Sequence, residues 1–335
     1  MTATIRDVAQ RAGVSIATVS RVMNDHPDVG LDTRRRVLDA ADTLGYVAHG
    51  PARALATSQS QLVGVVLPVG VGRPEIMLTF FGEVIDSIAR HLDEHGYDAV
   101  LLHNAPLHGH TSAERAARHR VDGLLFLGAF RETPGLPATL PCVAVDAHCA
   151  GPNRGAVVFD NADGIRLVVG HLYALGHRRI AYLGGPTSIR PASDRLEAFR
   201  AETGRLGIPP LADHVRESDW SAESGYRETC AVLAGAERPT AIVAAADVAA
   251  IGAMQAIRDY GLEPGRDVAV TGFDDLPAAS LAHPALTTIR QDRERLGSFA
   301  VTTLFELLET PGEDGPQVSL PVSLVVRASS GGRLA

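Results

Sequence analysis

The hydrophobic positions at the start of the chain follow a helical period. In the stretch Thr4 to Asn24, TIRDVAQRAGVSIATVSRVMN, Val8 and Ala12 fall on one face. Val19, Val22 and Met23 form an i, i+3, i+4 stripe. Gly13, between the two runs, suits a turn that needs positive φ. Thr4, with Asp7 three residues on, reads as a capping box, and Ser15 as the cap of the second helix. A third helix is expected from Asp32, as its cap, to Leu44, stopped by Gly45, with Val37, Leu38, Ala41 and Leu44 inward. This leaves Ile16, Ala17, Ser20 and Arg21 on the outward, N-terminal part of helix two, a presentation that fits the major groove of B-DNA. The alternative on periodicity alone is a small amphipathic helix pair packed on a larger domain.

From Gln61 the pattern changes to short apolar runs alternating with amphipathic helices. Strands are expected at 62–67, 99–102, 123–127 and 142–145, with helices over 81–95 and 111–120. A second set follows: helices 163–176, 194–206 and 247–260, with strands 179–183, 241–244 and 268–273. Such alternation implies two open parallel sheets with helices on both faces, and ligands in such folds bind beyond the carboxyl ends of the strands. Asp146 and Asp274 each follow a strand and so stand where a cleft between two lobes belongs. The segment 70–78 is expected as a long loop. Gly70-Val71-Gly72 lacks the third glycine of a dinucleotide site.

Composition excludes several classes. No run approaches the roughly 18 apolar residues of a membrane span, and the N-terminus lacks a signal peptide's pattern, so a cytoplasmic protein is expected. Cys142, Cys149 and Cys230 have no paired spacing, and no HExxH motif occurs, so no metal and no cofactor are expected. All 31 basic residues are arginine. The absence of lysine rules out a Schiff-base lysine and a phosphate-loop lysine. The net charge of −8 is uneven: residues 1–60 carry net +1 and the remainder net −9. An acidic body repels DNA, which leaves a local patch, groove contacts and dimerisation to provide binding.

The string DVAQRAGVSIATVSRVMN resembles the helix-turn-helix of LacI-family transcription regulators. The blocks LYALGHRRIAYLGGP, SDWSAESGY, PTAIVAAAD, AVTGFDDLP, LTTIRQD and SLPVSLVVRAS extend the resemblance to about Ser329. The resemblance implies a small all-α helix-turn-helix head (1–47), a hinge helix and linker (48–60), and a two-lobed α/β core similar to periplasmic sugar-binding proteins, with parallel sheets (61–335). Lobe one would comprise about 61–158 and 290–320, and lobe two about 159–289 and 321–335. It further implies a homodimer on double-stranded operator DNA. Arg21 would read a guanine, Ile16 would meet a thymine methyl and Ala17 would select by shape. Thr4, Ser15, Thr18 and Asn24 would hold phosphates, with Ser20 on the same face. The stretch Ala52-Arg53-Ala54-Leu55 matches the hinge pattern, with Leu55 as the minor-groove wedge. The leucine-repeat tail of tetrameric members has no counterpart here, so a dimer is expected.

Matching the blocks residue by residue implies Asp146, Arg195, Trp220, Asp274 and Gln291 as effector contacts, with Phe80 and Phe81 as an aromatic pair. Two carboxylates and an arginine suit vicinal hydroxyls, and an aromatic face suits a sugar's C–H side. One departure is Ala246-Asp247, where many sugar-responsive members carry Asn-Asp. The expected function is a repressor whose operator affinity is controlled by a small-molecule effector, a sugar before a nucleobase or other metabolite. The competing classes are a sugar-binding transport component, which needs export, and an α/β enzyme. No G-x-S-x-G elbow or zinc motif supports the enzyme.

Overall fold

The computed structural model describes residues 3–23, 26, 28–46, 59–67, 74–103, 111–128 and 137–331, with backbone alone for 74–78. Two compact units divide at Gln61–Leu62. The first contains α1 (Ile5–Ala12), α2 (Ile16–Met23) and α3 (Leu31–Leu44). Its core is small and built of short side chains: Val8, Ala9, Ala12, Val19, Val22, Val37, Ala40 and Ala41. Gly13 ends α1 in the left-handed conformation at φ 64°, which an L side chain adopts only with strain.

Two expectations for α3 are corrected. Its N-cap is Gly30, so Asp32 lies in the first turn, where its charge favours the helix's positive end. Leu38 is 48% exposed, and Ala40 takes the inward place. Val37, Ala40, Ala41 and Leu44 fall at i, i+3, i+4 and i+7, and Leu38 lies off that stripe.

The second unit opens with β1 (Leu62–Leu67), α4 (Pro74–Glu94), β2 (Asp98–His103), α5 (Ser112–His119), β3 (Gly123–Leu127), β4 (Cys142–Val145) and β5 (Arg154–Phe159). With β11 (Gln317–Leu320) these strands form a parallel six-stranded sheet, in the order β11-β5-β4-β3-β1-β2. The expectation of a loop through 78 is corrected at its end, because α4 already begins at Pro74, where a missing N–H costs no helix bond. The helix expected over 81–95 is therefore longer at its start.

The chain then enters lobe two. There α6 (Asn161–Ala174), β6 (Ile180–Leu183), α7 (Arg190–Arg205), β7 (Val215–Arg216), α8 (Ala222–Leu233), β8 (Ala241–Ala244), α9 (Asp247–Asp259), β9 (Ala269–Thr271) and α10 (Pro277–Leu281) follow. Its parallel sheet runs β7-β6-β8-β9. The strand β10 (Thr288–Arg290) pairs antiparallel with β12 (Ser323–Val325). Between them α11 (Arg293–Glu309) and β11 return to lobe one. The chain thus crosses between lobes after Phe159, Arg290 and Leu320. Three crossings permit a hinge and forbid free rotation.

Each sheet is covered on both faces. Val63, Val65, Leu125, Val143 and Val157 pack under α4 and α11 through Val84, Ile88, Leu92, Leu296 and Leu304. In lobe two, Ala181 and Ile242 face α8 and α9, while Tyr182, Val243 and Phe273 face α6 and α7. Continuous apolar strands such as Cys142–Val145, buried at every position, follow from this two-sided burial.

Candidate functional site

The head presents its candidate DNA-reading side chains without burying them. Ser15 Oγ accepts a hydrogen bond from the Thr18 backbone N–H at 3.0 Å, so it caps α2. Its hydroxyl also pairs with the Thr18 hydroxyl at 2.8 Å. Val19 and Val22 turn inward, which leaves Ile16 45% exposed and Ala17 and Arg21 exposed beside it. Thr18 and Ser20 are half-buried at the edges of this face. Thr4 closes the capping box of α1: its N–H and its hydroxyl both donate to Asp7 Oδ2, at 2.8 and 2.7 Å. These two bonds hold the Asp7 carboxyl below the usual carboxylate range. The expected contacts Asn24, Arg53 and Leu55 lie outside the described residues.

In the core, the ends of strands from both lobes bring Phe80, Phe81, Asp146, Arg195, Trp220 and Asp274 around one cavity of about 60 Å³, together with Pro191 and Ala246. Phe80 and Phe81 come from α4 and meet edge to face, with centroids 5.0 Å apart. Asp146 follows β4, and Asp274 stands beyond β9. Arg195 lies on α7 and is buried. Its Nε donates to Asn161 Oδ1 at 2.7 Å, and its Nη1 to the Ala245 carbonyl at 2.6 Å. The guanidinium also stacks 3.8 Å over the Phe273 ring and comes within 3.9 Å of Asp274 Oδ1.

Three of these residues have unusual backbones. Asp146 (φ 55°), Trp220 (φ 64°) and Asp274 (φ 122°) all lie in the left-handed region without being glycine. Such conformations cost on the order of 1–3 kcal/mol each and persist where the surroundings over-determine them. Trp220 is set by its N–H donating to Ser218 Oγ at 3.1 Å and by Gly185, on which its indole lies. A Cβ at Gly185 would meet that ring at 2.1 Å, so a glycine is required there.

The electrostatics are those of a site that keeps unused hydrogen-bonding capacity. Burial pushes the Asp146 carboxyl up to about 7, against the pull of Arg195 and with the repulsion of Asp274. Burial likewise pushes Asp274 up to about 6, with Arg195 and Arg293 opposing. Among the described residues, Asp146 Oδ1 and Trp220 Nε1 are buried with no hydrogen-bond partner. Such atoms normally find partners, so an acceptor and a donor left bare beside one cavity point to a polar ligand.

Gln291 differs from the other expected contacts. It is 2% exposed and both amide atoms lack partners, yet it is not among the residues lining the cavity. Sequence reasoning missed Pro191. Ala246, read there only as a departure, lines the cavity and supplies no donor. The adjacent Asp247 faces away: its oxygens accept from Thr288 Oγ1 at 2.5 Å and the Leu276 N–H at 2.8 Å. A larger groove of about 570 Å³, lined by His148, Asp160, Asn161, Asp194 and Glu197 among others, has no comparable set of bare buried polar atoms.

A helix-turn-helix unit joined in one chain to a two-lobed α/β unit with a polar cavity between its lobes defines a ligand-responsive DNA-binding regulator. Residues 4–49 match the family described as bacterial regulatory proteins, lacI family, and residues 169–330 match a periplasmic binding protein-like domain. The chain is 36% identical to the lactose operon repressor of Escherichia coli (strain K12), over 98% of this chain and 90% of that one. It is 33% identical to the HTH-type transcriptional repressor PurR of Edwardsiella ictaluri, over 98% and 96%. The structure of the lac repressor dimer bound to operator and the anti-inducer ONPF matches with TM-score 0.86 and 34% identity, over 98% of this chain and 99% of that one. A transcriptional regulator CelR–cellobiose complex matches with TM-score 0.70 and 27% identity, over 98% and 99%. The chain belongs to the LacI family of bacterial regulatory proteins. It is a DNA-binding transcription regulator with an effector-binding core. Among the described residues, no helix is long and apolar enough to cross a membrane.

Proposed function

We propose that the protein is a cytoplasmic, non-enzymatic repressor whose dimer releases or grips its operator according to a neutral, hydroxyl-rich effector, a sugar or glycoside. The observation that carries this reading is the cavity's hydrogen-bonding set. Asp146 and Asp274 accept, Arg195 and Trp220 Nε1 donate, and Phe80, Phe81 and the indole offer apolar faces. With both carboxylates ionised and one guanidinium lining the cavity, a phosphate or carboxylate ligand would be repelled. A hydroxylated ring would satisfy both bare atoms and lay its C–H face on an aromatic ring. The cavity of about 60 Å³ is far below the roughly 300 Å³ at which small-molecule pockets begin, so this conformation is closed and the lobes part to admit the ligand. Gln291 becomes a contact, direct or through water, once the effector seats.

In the head, Arg21 reads a base edge, Ile16 and Ala17 select by contact and shape, Thr4, Ser15, Thr18 and Asn24 position phosphates, and Ser20 lies on the DNA-facing side with them. Arg53 and Leu55 act from the hinge. A second copy would cover apolar surface that the single chain leaves bare: Leu101 on the edge strand β2 is 57% exposed and Leu281 on α10 is 75% exposed. A dimer places two recognition helices on the half-sites of a pseudo-palindrome. The effector acts only through its different affinity for the two lobe arrangements.

A nucleobase is the second reading, favoured by the flat aromatic faces of Trp220 and the Phe80–Phe81 pair. The test is to select the operator from random pseudo-palindromes, then measure its affinity with neutral glycosides, sugar phosphates and purine bases. A neutral glycoside is expected to change operator affinity by about 5- to 150-fold. A response to a purine base alone would replace the sugar reading.

A further inference from the structure

Arg293, which no part of the effector reading uses, joins the two lobes at one edge of the cavity. It is the first residue of α11, just past the second crossing, and its side chain is 8% exposed. Nε and Nη2 donate to the two oxygens of Glu83 on α4, at 2.9 and 3.2 Å. Both residues belong to lobe one. Nη1 donates across the cleft to the Asp274 carbonyl at 2.6 Å, and Nη2 reaches the Asp275 carbonyl at 3.5 Å. Those carbonyls belong to lobe two.

The arrangement depends on the shape of the guanidinium. Its planar fork serves a carboxylate with one edge and a carbonyl with another, which a single ammonium cannot do. Glu83 satisfies the charge whether the lobes are together or apart, because both groups ride on lobe one. The bond to Asp274 is the part of this set that crosses from one lobe to the other. On its other side Asp274 donates its N–H to the Ile289 carbonyl at 2.8 Å, so its strained backbone is held from both sides. Arg293 also lies 6.0 Å from the centroid of Phe80, one turn before Glu83 on α4 and itself a lining residue. One guanidinium thus touches the backbone of a lobe-two lining residue and the helix that supplies the lobe-one aromatic wall.

We propose that Arg293, braced by Glu83, is a cross-lobe latch that holds the cleft closed and fixes Asp274 at its edge. This does not depend on the nature of the effector, so it can be tested without one. Trp220 is the only tryptophan and lines the cavity, so quenching of its fluorescence by acrylamide reports cleft opening. In the ligand-free full-length protein, Arg293→Met is expected to raise the quenching constant about twofold or more, as a closed population shifts toward open. Arg293→Lys is expected to fall between Met and the parent, and Glu83→Gln to give a smaller rise. Arg90→Met, which removes an exposed arginine of the same helix, is the control and should match the parent. A merely structural role would lower the melting temperature without changing quenching below the transition. If Arg293→Met folds, as judged by circular dichroism, and quenches like the parent, the latch is overturned. If it does not fold, Glu83→Gln decides: raised quenching supports the latch, and parent-level quenching overturns it.

Discussion

The head and the core place their recognition chemistry in opposite ways. Around α2 the apolar residues turn inward and the recognition residues remain in water, where Ile16 and Arg21 are exposed. In the core, Asp146, Arg195 and Asp274 are buried. Buried ionic groups must be balanced within the protein, and exposed ones need not be. Changes at the head's exposed Ile16 and Arg21 should therefore alter binding with little effect on folding. Changes in the cavity should alter both, and the same difference predicts which region responds to pH.

The largest effect is expected for Arg195→Met. It leaves two buried carboxylates with only Arg293, beside Asp274, to offset them, at a cost of about 3–5 kcal/mol. Urea unfolding of the core and effector titration should both register the loss. Unchanged stability would show that the site tolerates unpaired charge and would end the contrast. Next in size is Arg21→Ala, which should relax discrimination at one base position by about 1–3 kcal/mol while the melting curve stays put. A stability loss of that order would mean that Arg21 is part of the head's packing.

The third effect is with pH. Ligand hydroxyls donate to ionised carboxylates, and Asp146 and Asp274 ionise near about 7 and about 6. Effector affinity should thus be fully present above pH 7 and fall roughly tenfold for each pH unit below the governing value. The sign for folding is opposite. Both carboxyls are raised above their unfolded value of 3.8, so their contribution to stability is present below that value and lost as pH rises through about 6 to 7. Affinity and stability measured in parallel should therefore move in opposite directions. The smallest effect is expected for Ser15→Ala, which removes the α2 cap at about 1 kcal/mol and should destabilise the head alone.

The same contrast explains what could be read from the sequence. The head was legible because its signals are local: a capping box at Thr4–Asp7, a turn at Gly13 and a stripe at Val19 and Val22 all act within a few residues. Leu38 was misplaced because leucine outweighed alanine against the 37-40-41-44 period, and Asp32 because the actual cap, Gly30, carries no side-chain signal. In the core, strands such as Gly123–Leu127 were legible from their apolar runs. The strand Arg154–Phe159 went unread because it opens with a charged residue, and α8 because its apolar stripe is thin. The positions of Asp146 and Asp274 followed from strand ends, and resemblance supplied Arg195 and Trp220. Their common cavity depends on three chain crossings, and neither those contacts nor the Arg293–Glu83 pair leaves a local signal. The start of α4 was missed because the segment 70–78 reads as a loop, although Pro74 suits a helix's first turn.

The most direct test of the effector account is the intrinsic fluorescence of Trp220 during titration with neutral mono- and disaccharides and their glycosides, with sugar phosphates and nucleosides as comparators. The account predicts a saturable change with a neutral sugar or glycoside, none with its phosphorylated form, and loss of the change in Arg195→Met. A saturable response to phosphorylated ligands, or no response to any neutral sugar while calorimetry detects a different ligand, would contradict it.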